Sequence, residues 1–584
     1  MRVALLTEGA TESAGPDTRR SGDGWCDRLM DGLAEHEFRL YLLAPPGCAV
    51  GTRPGRPAAV HEFPMGGRRP PGHGPALHRR RQYVRAYRDL VRALVLPAER
   101  RSFGPGLYRL AELAREDGAL PAFLASGAAQ RTLEAVWRSP GADTAAGQPQ
   151  VGDLLVAGDL LEQCLRPLSA PWYGTGAGEL GGADLCHVVG GGPAALPALV
   201  AGALHGVPFV VTEHGPQLRE QYRSDRYAQY RWPVRALLLG FSRLLAEETY
   251  RQAAVLTPDS EYGRQWQQRC GAAPERIRVV YEGAAAVDRA PAGPEPELPT
   301  LLWAGALEPG HDPELMLHAF ARVRADLPTA RLRMYGEEGG PGRAAHCRVV
   351  ADRLGLDDAV SFEDGRGGPA WETGGVLVLS ARTQSSPRML VDAMLSGRAV
   401  VTTEVGVARE VVGPAGLLVP PRSPQALAGA CLALLGDSER RVRLGRAGRR
   451  RAQERFAVEP VTTAFREIYL ELVSGRPAFP AAASGTRGRP HRAQPFARPA
   501  EYWVAGGTEA VGAAEDVPDD SPEAVGPVEG TERAGDGGPP GLGGGRADGG
   551  ERAAGAGRLF GETRAGGGRT PAGPAEPGAL AEAV

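Results

Sequence analysis

The 584-residue chain contains no lysine and no asparagine, and only two isoleucines, Ile277 and Ile468. All 67 of its basic residues are therefore arginine. These absences exclude whole classes of chemistry. No lysine is present to form a Schiff base or fill a phosphate loop, and no asparagine can carry a glycan. A very GC-rich genome, which disfavours AT-rich codons, is the plain reading of the bias. Long apolar runs are missing too, since no window approaches the roughly eighteen uninterrupted apolar residues of a membrane helix. The opening MRVALLTEG is too short for a signal peptide and reads as a first buried strand. Seven cysteines, at 26, 48, 164, 186, 270, 347 and 431, are scattered without a Cys-x-x-Cys pair. That pattern predicts thiols in a reducing cytoplasm rather than a disulfide framework or a metal site. With a net charge of −2, the chain does not look like a nucleic-acid binder.

What is present is a repeated alternation of strand-like and helix-like runs. RVALLT (2–7), WCDRLMDGLAEH (25–36) and FRLYLLA (38–44) read as strand, helix and strand, a unit that implies a parallel sheet. DLCHVV (184–189), ALPALVAGALHG (195–206), PFVVTEHG (208–215), AAVLTPDS (253–260) and RIRVVYEG (276–283) continue it. Between 50 and 150 a Pro- and Arg-rich stretch leads into helical segments such as RRRQYVRAYRDLVRALVL. Its basic face reads as a solvated helix surface ahead of a contact with anionic lipid or an acidic acceptor. AVDRAPAGPEPELPT (286–300) has the composition of a linker. LLWAGAL, ELMLHAFARVRADLP, RLRMYGE, AVSFEDG, VLVLS and AVVTT then give a second alternating set. A helical tract over 444–473 follows, interrupted near Pro460. From 478 onward the composition is Gly, Pro, Ala, Glu and Arg without apolar periodicity, which predicts a disordered tail. The predicted organisation is a first doubly wound domain over 1–285 with a helical insertion, a linker over 286–300, a second over 301–460, a closing helix over 461–477 and the tail. Two such α/β domains make a cleft, with ligands at the carboxyl ends of the strands.

Several fragments together resemble retaining glycosyltransferases of family 4, which have the GT-B fold. They come closest to the subset that carries an N-terminal domain of unknown function and includes the Pel-exopolysaccharide glycosyltransferase. The carrying text is MRVALLTEG, WCDRLMDGLAEHEF, ADLCHVVGGGPAALPAL, GVPFVVTEHGPQLRE and LTPDSEYGRQWQQRCGAAPERIRVVYEG in the first half. In the second it is LLWAGALEPGHDPELMLHAFARVRADLPTARLRMYG and SSPRMLVDAMLSGRAVVTTEVGVAREVVGPAGLLVPP. The resemblance implies two Rossmann-like domains facing a cleft. It also implies metal-independent transfer of a sugar, without a cofactor, from a nucleotide-diphosphate donor to a glycan, lipid-linked or small-molecule acceptor. The expected setting is the cytoplasm, with association at the membrane periphery or in an exopolysaccharide synthesis complex, and with no nucleic-acid partner.

Carried over residue by residue, the resemblance implies His214 near the donor sugar, at the end of the strand PFVV. Glu213 and Arg219 would belong to the same constellation. It places Gln384 and Asp392 at the two ends of a Glu-x7-Glu motif, with Asp392 on the ribose. The loop Ser385-Ser386-Pro387 would face phosphate through the backbone N–H groups of Ser385 and Ser386. Gly22 and Gly24 would form a turn near phosphate or acceptor. Gly305 opens the segment in which the family has an arginine and a lysine on the diphosphate, whereas Ala306 and His311 stand here. His311 retains part of that role only when protonated. Three neutralised positions around one ligand motivate a second reading, a catalytically inactive GT-B protein that binds or regulates.

Overall fold

A computed structural model describes residues 1–9, 16–44, 59–67, 73–142, 147–176, 178–223, 227–284, 291–336, 342–363, 371, 373–383 and 387–475. All of them belong to one compact unit, 1–507. Its first six strands are β1 (Arg2–Glu8), β2 (Glu37–Ala44), β3 (Ala59–Pro64), β4 (Leu185–Val189), β5 (Phe209–Glu213) and β6 (Val255–Pro258). The helices among them are α1 (Pro16–Gly32), α2 (Leu77–Val95), α3 (Phe103–Asp117), α4 (Leu120–Leu124) and α5 (Gly127–Trp137). They continue with α6 (Val151–Leu165), α7 (Ala195–His205), α8 (Gln217–Arg223), α9 (Trp232–Gln252) and α10 (Glu261–Arg269). The second half contributes β7 (Thr300–Ala304), β8 (Arg331–Tyr335), β9 (Val360–Glu363), β10 (Val376–Leu379), β11 (Ala399–Thr403) and β12 (Leu417–Val419). With them come α11 (Pro313–Asp326), α12 (Arg343–Arg353), α13 (Arg388–Leu395), α14 (Ala408–Val412), α15 (Pro424–Leu435), α16 (Ser438–Arg455) and α17 (Val458–Ser474).

The strands form two six-stranded sheets, ordered β3-β2-β1-β4-β5-β6 and β12-β11-β10-β7-β8-β9, with every pairing parallel. Their central strands are covered on both faces, which is why Val3–Leu6, Leu301–Trp303 and Val376–Leu379 read as unbroken apolar runs. Strand order reverses between β1 and β4 in one sheet and between β7 and β10 in the other. Loops diverge there and leave room at the carboxyl ends. The predicted pair of doubly wound domains is what the chain forms. The predicted tail lies outside the described residues.

Three sequence expectations are corrected in detail. RIRVVYEG pairs with β6 only through an isolated Leu256–Ile277 bridge and two backbone hydrogen bonds, from Arg278 to Leu256 and from Val280 to Pro258. The stretch between 50 and 150 holds an edge strand, β3, as well as helices; of its six residues only Phe63 is buried, so it lacks an apolar signature. The break in the last helical tract falls at Phe456–Ala457, and Pro460 lies in the first turn of α17, where a missing N–H costs nothing.

α17 returns to the first domain. Its Phe465, Ile468, Tyr469 and Val473 pack with Trp25, Leu29 and Leu33 of α1 against Val3 and Leu5 of β1. The linker is moored to the second domain, with Arg398 donating to the carbonyls of Gly293 and Pro294 at 2.9 Å each and Arg441 pairing with Glu295. The basic face of α2 stands in solvent at Arg80, Arg81, Arg85 and Arg88, while Tyr83, Tyr87 and Leu90 fill the core. The six described cysteines are all free thiols, and no described helix is long and apolar enough to cross a membrane.

Candidate functional site

At the carboxyl edge of the first sheet a buried polar chain fixes the ends of three strands. His187 of β4 bonds through Nε2 to Thr212 Oγ1 of β5 at 2.6 Å and through Nδ1 to the hydroxyl of Tyr469 on α17 at 2.5 Å. Thr212 Oγ1 in turn meets Thr257 Oγ1 of β6 at 2.6 Å. His214, one residue past β5, projects from this anchored edge. Its ring packs edge-on against Trp25 of α1, with centroids 4.9 Å apart. Both ring nitrogens are shielded from solvent and have no hydrogen-bond partner among the described residues. Burial pushes its pKa down to about 3, and the neighbouring guanidinium groups of Arg28 and Arg388 push the same way. The imidazole is neutral at physiological pH.

Arg388 opens α13, and Pro387 is the N-cap of that helix, without a side-chain cap. Asp392 lies one turn further along and is close enough to Arg28 for its carboxylate to favour the charged guanidinium. Glu282, just before the linker, is the hub: its Oε1 lies 3.6 Å from Arg28 Nη2 and 3.4 Å from Arg388 Nη1. Arg28 comes from the first domain and Arg388 from the second, so the two sheets approach each other by their carboxyl edges. A second crossing stands nearby in sequence, where Glu410 of α14 accepts from the backbone N–H of Glu261 at 2.9 Å and from the Tyr281 hydroxyl at 3.0 Å. In contrast, a hollow of about 630 Å³ lined by Thr300, Arg331 and Val360 opens at the amino ends of β7, β8 and β9. That is the wrong end of a doubly wound sheet for a ligand.

The predicted site residues thus fall into separate groups. His214 and Asp392 are linked through the arginines between them, His214 feeling Arg28 and Arg388 and Asp392 feeling Arg28, while Pro387 caps the helix that Arg388 opens. Gly305 and His311 form a second group around Trp303: a Cβ on Gly305 would stand 3.1 Å from the indole and 3.2 Å from His311 Cβ. His311 Nδ1 lies 3.4 Å from Glu308 Oε1 on its own loop. The next cation, Arg382, is committed to Asp312, the N-cap of α11, at 2.7 and 3.2 Å. Gly22 and Gly24 are not in a turn. They lie within α1, and Arg28 Nη1 passes 3.6 Å from where a Cβ on Gly24 would be, an ordinary contact distance. Arg219 belongs to α8 and lies over the Trp266 ring. Gln384, Ser385 and Ser386 lie outside the described residues. Arg28 and Arg388 escape a motif-based reading, although a chain without lysine must build every cationic contact from arginine or histidine. Arg388 stands beside Pro387 in the very motif that drew attention.

Glu213 is the last residue of β5, not part of a loop. Its carboxyl accepts from the Tyr250 hydroxyl at 2.9 and 3.0 Å and from Gln267 Nε2 at 2.9 Å. Burial raises its pKa to about 7 against the opposing pull of those bonds. The folded state therefore keeps the proton that an unfolded chain loses near its usual value of about 4.5. This contribution to stability is complete below that value and is lost as the pH rises through 7. Glu213→Gln should flatten the decline and raise stability at pH 8 by roughly 1–3 kcal/mol relative to the parent, with little change at pH 4. Asp259, buried and also raised, keeps a residual slope. Denaturant midpoints at the two pH values check this; a parallel shift at both would refute it.

Two facing doubly wound domains with polar groups gathered at their carboxyl edges define a GT-B protein. Residues 1–275 match the domain of unknown function DUF3492, and residues 298–437 match the glycosyl transferases group 1 family. The chain thus joins a DUF3492 N-terminal domain to a second domain of the glycosyl transferases group 1 type. It is 28% identical to a D-inositol 3-phosphate glycosyltransferase from Streptomyces bingchenggensis over 40% of this chain and 56% of that relative. It is 29% identical to an MMP alpha-(1->4)-mannosyltransferase from Mycolicibacterium hassiacum over 46% of this chain and 66% of that protein. The chain thus spans little more than half to two thirds of the lengths of these relatives. Among solved structures, sucrose-phosphate synthase from Thermosynechococcus elongatus aligns over 81% of this chain and 99% of its own, at 16% identity and a TM-score of 0.49.

Proposed function

We propose that the chain transfers a sugar from a nucleotide-diphosphate donor to an acceptor hydroxyl with retention, in the building of an exopolysaccharide or other glycoconjugate. The observation that carries this reading is the neutral imidazole of His214, its ring nitrogens buried without a partner among the described residues, beside Arg28 and the Arg388 that opens α13. In this reading the nucleotide lies on the second domain, with Asp392 accepting from the ribose hydroxyls. The N–H groups that begin α13 meet the phosphates, favoured by the positive end of the helix. His214 hydrogen-bonds a sugar hydroxyl and lies against the anomeric carbon. The bond from that carbon to the diphosphate oxygen breaks as the acceptor oxygen attacks from the same face. The departing phosphate oxygen takes the acceptor's proton, so no enzyme nucleophile is required.

Calorimetric titration with UDP, GDP, ADP and their sugar conjugates tests the donor site. Asp392→Ala should weaken the nucleotide that binds by roughly 10- to 100-fold, the worth of a hydrogen bond to a charged acceptor. No binding by any of them at millimolar concentration refutes the reading. Ala306, which is uncharged, and His311, which is turned to Glu308, favour a second reading in which the cleft binds a nucleotide without turning it over. Saturable binding with neither transfer nor donor hydrolysis would establish that one.

A further inference from the structure

We propose that Arg28 of α1 and Arg388 of α13 together form a two-armed receptor for the terminal phosphate of a nucleoside diphosphate, closing on it from opposite domains. The proposal rests on the donor reading above and names the groups that replace the missing diphosphate cations.

The geometry of Glu282 carries the argument. One oxygen of one carboxylate is approached by both guanidinium groups, at 3.6 and 3.4 Å. Charge-assisted hydrogen bonds settle near 2.7–2.9 Å, so the Arg388 hydrogen bond at 3.4 Å and the Arg28 contact at 3.6 Å are both long ones. The Glu282 side chain is 4% exposed, while those of Arg28 and Arg388 are 28% and 37% exposed, so the carboxylate is buried and the cationic heads border the cleft. Two positive groups held at a distance by one buried negative charge make a socket in which an anion with more oxygens outcompetes the carboxylate. A guanidinium also offers paired donors matched to two phosphate oxygens.

Two further observations point to the same place. Arg388 begins a helix whose N-cap, Pro387, provides no side-chain acceptor, so the positive end of α13 adds to the socket. The shielded ring nitrogens of His214 lie close by, and the charges that act on that ring are those of Arg28 and Arg388. The arginine nearer the segment that begins with Gly305, Arg382, is bound to Asp312. Because Arg28 stands on the first domain, phosphate binding also draws the two domains together. A group on the acceptor side of the cleft thereby becomes part of donor recognition.

The test compares UDP, GDP and ADP with UMP, GMP and AMP on the full chain by calorimetry, for the wild type, Arg28→Gln, Arg388→Gln and the double variant. The wild type should prefer one diphosphate over its monophosphate. Each single variant should lose roughly tenfold or more in diphosphate affinity, and the double variant roughly 100-fold, with monophosphate affinity changed less than about threefold. The preference for a diphosphate then collapses in the double variant. Glu282→Gln keeps the side-chain shape and removes the competing charge, so it should tighten diphosphate binding several-fold even where an arginine variant fails to fold. A wild type that binds none of the six nucleotides brings down the donor reading and the receptor together. A wild type that binds a diphosphate, with the preference intact in the double variant or with binding weakened in Glu282→Gln, brings down the receptor alone.

Discussion

His214→Ala should lower turnover by roughly 10²–10³-fold while changing nucleotide affinity by less than about threefold. The imidazole is held edge-on by Trp25, its nitrogens are hidden from water, and no described residue provides them a partner. A polar group buried in that way costs stability unless a ligand satisfies it. With a pKa near 3, the ring stays neutral from pH 5 to 8 and is too weak a base to hold a proton there. Its part is therefore a preorganised hydrogen bond to the sugar, not proton transfer. Two consequences separate this from a general-base role. The pH profile of kcat should have no limb belonging to His214, so His214→Ala should scale the profile down without moving it. His214→Gln, which retains a donor and an acceptor at similar reach, should recover part of the loss. An acid limb near pH 6 that disappears in His214→Ala would overturn the assignment, as would unchanged turnover.

The fold was legible because parallel strands covered on both faces are apolar throughout, and RVALLT, FVVTE, TLLWA and VLVL are such runs. β3 was not, since an edge strand with one buried residue has no signal distinct from a loop. The role of α17 was hidden for another reason. Its amphipathic spacing announces a helix, but nothing local says that Phe465 and Tyr469 will cover the first domain rather than the second. His214 was located at the end of its strand from the run PFVV, and its place near a donor sugar came from the family resemblance. The cationic pair could not be found in either way, because Arg28 looks like any solvated helix residue until the fold brings Arg388 to the same carboxylate. Gly24 shows the same limit. The resemblance suggests a phosphate-approach turn, whereas the glycine sits in a helix beside Arg28. Motif spacing finds groups on one element; a site shared between domains is assembled from residues with no sequence relation to each other.

The largest loss of stability is expected at the ion pair between Arg166 and Glu162, with side chains 3% and 2% exposed. Arg166 donates from Nε to Glu162 Oε1 at 2.9 Å and from Nη2 to Oε2 at 2.7 Å, and Nη1 bonds the Gly66 carbonyl at 3.0 Å. It thereby ties the end of α6 to the segment after β3. Arg166→Ala removes the cation that faces the buried Glu162 carboxylate and should cost roughly 3–5 kcal/mol, a large share of the 5–15 kcal/mol typical of a whole domain. Glu162→Ala should cost about as much. Removing both charges in the Arg166→Met, Glu162→Leu double variant should be close to neutral, because desolvating two ions offsets most of their attraction. Chemical denaturation of the wild type, Arg166→Met, Glu162→Leu and their double variant gives the coupling energy directly. Losses that simply add in the double variant would show that packing and the Gly66 contact, rather than the paired charges, hold this corner together. The difference bears on the cleft as well, since the same helical layer supports the sheet from which His214 projects.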